Sequence, residues 1–242
     1  MASKEPVNKS KSREYAEAII IAVILAIIIR GFVVQAFKIP SGSMIPTLLI
    51  GDHLLVNKFI YGVKPPLSDT RFLTFSSPKK GDIIVFEFPG DKEKDECKGL
   101  GISIPARFNK VLDTKNPFAF FSGECRDFIK RIIAVGGDTV EIKDKAVYVN
   151  GLALSEPFKI HSDSSVFSAD VTTRDNFGPI TIPANKFFVM GDNRDNSHDG
   201  RFWGTVNIGD IKGKAFIIYW SWDNTGNLLS KIRWGRLGMS LH

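Results

Sequence analysis

Downstream of residue 38, apolar and polar residues mostly alternate. That period of two fits half-buried strands and not helices. Residues 53–62 (HLLVNKFIYG) read as a strand closed by Gly62, and residues 81–90 (GDIIVFEFPG) as a β-rich run bracketed by Gly81-Asp82 and Pro89-Gly90. In 138–151 (DTVEIKDKAVYVNG) the alternation runs through Val140 and Ile142, turns near Asp144 and resumes from Ala146 to Val149. It then meets Asn150-Gly151, a strong hairpin signal. Residues 185–193 (NKFFVMGDN) and 214–222 (KAFIIYWSW) are further strand candidates. The pattern predicts a mainly β fold, a body of short antiparallel strands. Residues 91–127 break it with a charged run, DKEKDECKG, and then apolar and turn residues without a period, so they read as an insertion. Phe72, Phe75, Phe118, Phe120 and Phe121 offer either interfacial aromatic contacts or ordinary core packing.

The N-terminal region follows a different rule. Lys4, Lys9, Lys11 and Arg13 precede AIIIAVILAIII, residues 18–29, which contains no polar side chain. As a helix this run reaches only about 18 Å, whereas residues 18–37 reach about 30 Å if Arg30 snorkels to the far interface. The expectation is one transmembrane helix over 18–37. The basic segment 1–17 would then lie in the cytoplasm and residues 38–242 on the other side, as one β domain. A signal peptide cleaved after VQA (34–36) and a buried helix are the competing readings. Arg30 inside the run argues against the first.

Composition adds little to this. The 242 residues are 43% hydrophobic and 24% charged, normal for a globular chain. A net charge of +6 fits an anionic membrane surface or nucleic acid and chooses neither. Cys97 and Cys125 lack zinc-site spacing, and a disulfide or two free thiols both remain open. His53, His161, His198 and His242 form no metal pattern, so neither a metal nor a cofactor is expected.

Three stretches carry candidate chemistry. KIPSGSMIPTLLIGD (38–52) sets Ser41 and Ser43 between Pro40 and Pro46, whose rings restrict the backbone, with Gly42 allowing a tight bend. In DFIKRIIAVGGD (127–138) Lys130 and Arg131 sit among apolar residues of both strand parities, so at least one cation lies in apolar surroundings. A buried arginine stays charged and needs an anion. A buried lysine can lose its proton and serve as a general base for a serine. Parity alone leaves open which of the two is buried. The third stretch, FFVMGDNRDNSHDGRFWG (187–204), packs hydrogen-bonding groups directly after a strand.

Taken together, PSGSMIPTL (40–48), GDIIVF (81–86), KRIIAVGGD (130–138), VNG (149–151) and GDNRDNSHDGRFWG (191–204) resemble the type I signal peptidases, membrane-anchored Ser/Lys proteases. The resemblance implies Ser43 as nucleophile and Lys130 as general base. It implies an oxyanion hole from Ser41 and the Ser43 N–H, Ser197 orienting the lysine, and supporting pairs Asp192–Arg131 and Asp199–Arg201. It further implies cleavage of exported preproteins after small residues, in the Ala-x-Ala pattern, by a monomer at the bacterial cytoplasmic membrane. Membrane lipid would be a partner and nucleic acid would not. The extended substrate would lie along Ile39, Pro40, Met44, Phe128 and Ile132. Gly136 and Gly200 depart from residues common in the family, and neither removes a reacting group. The rivals are a Ser43–His198–Asp triad, a tethered binding module without catalysis, and a soluble self-cleaving Ser/Lys protease.

Overall fold

The computed structural model describes residues 11–28, 33–62, 74–90, 126–223 and 231–241. It opens with helix α1 (Lys11–Ile28), and the strands follow as β1 (Val34–Lys38), β2 (Asp52–Asn57), β3 (Ile83–Glu87), β4 (Asp127–Val135), β5 (Thr139–Lys143) and β6 (Ala146–Val149). Then come β7 (Leu152–Ala153), β8 (Phe177–Thr181), β9 (Lys186–Met190), the short helix α2 (Gly200–Trp203), β10 (Val206–Asn207) and β11 (Ile211–Ser221). The strands form a seven-stranded antiparallel sheet, β1-β2-β11-β3-β4-β9-β10, and a four-stranded one, β7-β6-β5-β8. The mainly β, antiparallel expectation holds.

The expected helix over 18–37 does not. The described helix spans Lys11–Ile28, and Val34–Lys38 is strand β1, paired residue by residue with β2 from Val34↔Asn57 to Lys38↔His53. The alternation through Phe37 explains the switch: this segment pairs its backbone with β2 and packs Phe37 against a core, which a helical continuation would forfeit. Among the described residues no helix is long and apolar enough to cross a membrane, and Lys11, Arg13, Glu14 and Glu17 occupy the first turns of α1. Beyond them Ile19, Ile20, Ile21, Val23, Ile24 and Leu25 are all exposed, so apolar side chains point outward over this part of the helix.

Three apolar clusters hold the strands. On one face of the large sheet Leu54, Val56, Ile83, Val85, Ala215 and Ile218 enclose Ile39, Met44 and Leu48, which roots the serine-bearing segment in the core. The other face gathers Ile84, Phe86, Ile132, Phe187 and Val189 with Tyr61. Val140, Ile142, Val147 and Val149 of the small sheet pack on Ile133, Ala134, Phe188 and Met190 and so join the two sheets. Asn150 and Gly151 both have positive φ (54° and 78°), as a tight primed turn requires, and β7 follows it. The predicted insertion 91–127 lies outside the described residues apart from Arg126 and Asp127, the latter opening β4. Cys97, Cys125, Phe72, Phe118, Phe120 and Phe121 also lie outside them.

Candidate active site

Residues 39–51 form a turn that leads into β2. Ile45 N–H donates to Gly42 O (3.2 Å) and Leu48 N–H to Met44 O (2.9 Å). Met44 and Leu48 are wholly buried, so the turn is pinned from beneath while Pro40 and Ser41 stay exposed. Ser43 stands between these two environments at the wall of a cleft of about 630 Å3. The opposite wall is the start of β4, through Phe128, Ile129 and Lys130.

Strand β4 answers the parity question by burying both cations. Lys130 is 4% exposed and Arg131 2%. They face different partners. Lys130 Nζ lies 2.7 Å from Ser43 Oγ, 87 positions away in sequence, and 5.5 Å from the centre of the Phe128 ring. Arg131 forms a two-pronged pair with Asp192, Nε to Oδ1 at 2.9 Å and Nη2 to Oδ2 at 2.8 Å, and lies over the Phe158 ring. Burial is the main reason that the Lys130 ammonium is destabilised, bringing its pKa down to about 8. Asp199 and Asp192 oppose that fall and Arg201 adds to it. The permanent cation therefore has an anion, and the titratable one has a hydroxyl.

The polar stretch after β9 frames the pair. Asp199 caps α2, accepts from Gly191 N–H at 3.0 Å and holds Arg201 by two bonds of 2.8 Å. Its burial would raise its carboxyl pKa, but Arg201 and these hydrogen bonds pull it below the ordinary carboxylate value. Gly191 has to be glycine, since a Cβ there would collide with Ser197 Oγ and Ser43 O. Ser197 Oγ is buried and makes no hydrogen bond of ordinary geometry among the described residues. It lies close enough to Asp199 to help keep that carboxylate charged.

The other expected site residues divide. Pro40, Ser41 and Phe128 line the cleft. Ile39, Met44 and Ile132, expected along the substrate, instead lie inside closed cores, each no more than 2% exposed. They follow sheet and turn packing: the serine turn sends Ile39 and Met44 inward, and Ile132 joins Ile84 and Val189. His198 lines the cleft but stacks on Phe202, with no hydrogen bond or ion pair to Ser43.

Two groups near the site escaped the sequence reading. Glu156 and Arg194 form a buried ion pair, Arg194 Nη1 donating at 2.8 Å, and Glu156 stands in no motif that would have flagged it. Asn193 bonds to the serine turn at two points. It lay inside a quoted stretch, but an uncharged amide gave no signal of its own.

Residues 12–220 match the family model described as signal peptidase, peptidase S26. The signal peptidase I of Pseudomonas aeruginosa is 30% identical over 239 residues, covering 86% of this chain and 72% of that protein. The signal peptidase I of Mycobacterium tuberculosis is 33% identical, covering 89% and 74%. That of Leptolyngbya laminosa is 33% identical, covering 94% and 89%. A crystal structure of a signal peptidase I from Enterococcus faecalis V583 aligns with a TM-score of 0.36 at 24% identity, over 57% of this chain and 97% of that one.

Proposed function

The chain belongs to the signal peptidase family, peptidase S26, and is a serine endopeptidase; from that premise we propose that it removes signal peptides from exported preproteins with a Ser43/Lys130 dyad. The observation that carries the reading is the 2.7 Å approach of the buried Lys130 Nζ to Ser43 Oγ, beside the Phe128 ring. A lysine amine with a pKa near 8 is neutral in a useful fraction at cellular pH and can accept a hydroxyl proton.

Ser43 Oγ attacks the scissile carbonyl carbon as Lys130 Nζ takes the hydroxyl proton. The oxyanion is received by the Ser43 N–H and the Ser41 hydroxyl, neither of which is committed to another group among the described residues. As the C–N bond breaks, Lys130 returns the proton to the departing amine and leaves an acyl ester on Ser43. Water, deprotonated by the same lysine, hydrolyses that ester. No step calls for a metal or cofactor. Asp192–Arg131 and Asp199–Arg201 fix the frame, and Ser197 borders it. The substrate lies extended between Pro40–Ser43 and Phe128–Lys130, a cleft that favours small side chains at alternate positions and so the Ala-x-Ala pattern. The outward apolar side chains of α1 attach the monomer to the bacterial cytoplasmic membrane, with the β body on the extracytoplasmic side.

The test is cleavage of a purified preprotein by wild type, Ser43→Ala, Lys130→Ala and His198→Ala across pH. The first two variants lose activity by at least about a thousandfold, and the third keeps it. In wild type, kcat/KM climbs about tenfold per pH unit below 8 and levels above it. Persistent cleavage by Lys130→Ala would end the dyad reading and reopen the His198 triad.

A further inference from the structure

We infer that Asn193 is a positioning residue for the oxyanion hole: its side-chain amide orients and polarises the Gly42–Ser43 peptide, whose N–H receives the developing negative charge. This rests on the Ser43/Lys130 reading above and extends it to a residue that touches neither the nucleophile's hydroxyl nor the base.

The argument begins with the peptide plane. The Gly42–Ser43 bond is trans, so its C=O and N–H point in opposite directions from one rigid unit. Whatever holds the carbonyl of Gly42 thereby aims the N–H of Ser43. Asn193 Nδ2 donates to Gly42 O at 3.0 Å, from 151 positions away. Ile45 N–H reaches the same oxygen at 3.2 Å from within the turn. Gly42 has no side chain to steady its own backbone, so these two donors supply that restraint.

The amide orientation follows from its other contacts. Asn193 Oδ1 accepts from Asn196 Nδ2 at 3.3 Å, and Asn196 Nδ2 also donates to Ser162 Oγ at 2.6 Å. With Oδ1 already used as an acceptor, Nδ2 is the end that faces Gly42 O. The backbone of Asn193 is fixed as well. Its N–H donates to Ser43 O at 3.1 Å, and it forms an isolated parallel bridge with Ile160, bounded by Ile160 N–H to Asp192 O (2.9 Å) and Arg194 N–H to Ile160 O (3.0 Å). Asn193 thus holds the carbonyls on both sides of the Ser43 residue.

Chemistry gives the second part. A hydrogen bond donated to a peptide oxygen draws electron density toward that oxygen and makes the N–H at the other end a stronger donor. The effect matters most when the N–H meets a full negative charge, in the tetrahedral intermediate, and little when it meets a neutral carbonyl. Asn193 therefore acts on kcat and not on substrate affinity.

The experiment uses the full chain and the variants Asn193→Asp, Asn193→Ala and Asn193→Ser, each checked by thermal melting, with Ser43→Ala and Lys130→Ala alongside. Asn193→Asp keeps the shape but sets a second acceptor against Gly42 O. A direct oxyanion donor is worth about a hundred- to a thousandfold in kcat, and an indirect one less, so kcat falls about 10- to 100-fold in a folded variant. KM stays within about twofold, and in the uncharged variants Asn193→Ala and Asn193→Ser the pH midpoint set by Lys130 does not move, whereas the added carboxylate of Asn193→Asp raises it. A peptide aldehyde, whose adduct on Ser43 carries the tetrahedral oxygen, loses affinity by the same factor as kcat, while the matching product peptide does not. Unchanged kcat, a loss confined to KM, or a shifted pH midpoint in folded Asn193→Ala or Asn193→Ser overturns the inference. So does failure of all three variants to fold, which would make Asn193 a residue of the fold alone. If Ser43→Ala or Lys130→Ala stays active, the dyad itself is wrong, whatever the Asn193 variants do.

Discussion

At the scale of the residue, Lys130 shows function placed against stability. Its pKa in the folded protein, about 8, lies below the 10.5 of an unperturbed lysine. The folded state therefore binds fewer protons than the unfolded state between pH 8 and 10.5, and stability rises with pH through that window. Below about pH 8 both states are protonated, and the folded state carries the full cost of a buried ammonium, about 3 kcal/mol. Lys130→Met removes the cost and loses the base. At pH 6 to 7 its melting temperature exceeds that of wild type, and the advantage shrinks as the pH is raised toward 10.5. Calorimetry across that range checks it; a variant less stable than wild type at pH 6 would show that the amine is not penalised by burial. Arg131, one position on, is equally buried yet answered by Asp192. Sequence could say that at least one of these neighbours lay in apolar surroundings. It could not say that both were enclosed, because the partner groups arrive from β9 and from the serine turn.

At the scale of the element, the serine turn is gripped by the C-terminal segment. Residues 231–241 run beside β11, with Gly238 N–H to Ile218 O at 2.8 Å and Leu241 N–H to Phe216 O at 2.9 Å. From there Arg236 donates to Thr47 O at 2.8 Å and to the buried Asp52 at 2.6 Å. Thr47 Oγ1 in turn donates to Asp192. Arg236→Ala leaves Asp52 buried with only its weaker partners, and the expected loss is about 3 kcal/mol in denaturant unfolding. A loss under about half a kcal/mol, as for an exposed pair, would mean that the segment is not a brace. No periodicity marks 231–241 as attached to anything, and its contacts are long-range. The alternating strands β2, β5 and β6 were legible, as were the short apolar runs of β3, β9 and β11 and the Asn150-Gly151 turn. Strand β8 was not, because Gly178-Pro179 sits within it. Its place at the edge of the small sheet tolerates a proline there. Strand β1 was hidden inside an apolar run whose composition suits a helix as well as a strand. The reacting groups stood out because charge and hydroxyls sat in apolar or constrained surroundings, whereas Asn193 and Glu156 offered no such contrast.

At the scale of the whole molecule, the large sheet carries the cleft, and α1 exposes apolar side chains from Ile19 to Leu25. Attachment of α1 to lipid predicts that the full-length protein floats with phospholipid vesicles. Ile19→Ser, Ile20→Ser, Val23→Ser and Ile24→Ser combined should release it while cleavage of a short soluble peptide continues. Flotation unchanged by the four substitutions would assign attachment to another surface.

Strand β1 also limits how far the reacting serine can stray from the helix. Ile28 and Val34 are six peptide steps apart, a distance that cannot exceed about 22 Å however the chain runs between them. From Val34 onward the path to Ser43 is rigid sheet and pinned turn. A helix lodged in lipid would therefore keep the blade on a short leash, and bonds would be cut by their height above the bilayer as well as by the residues beside them.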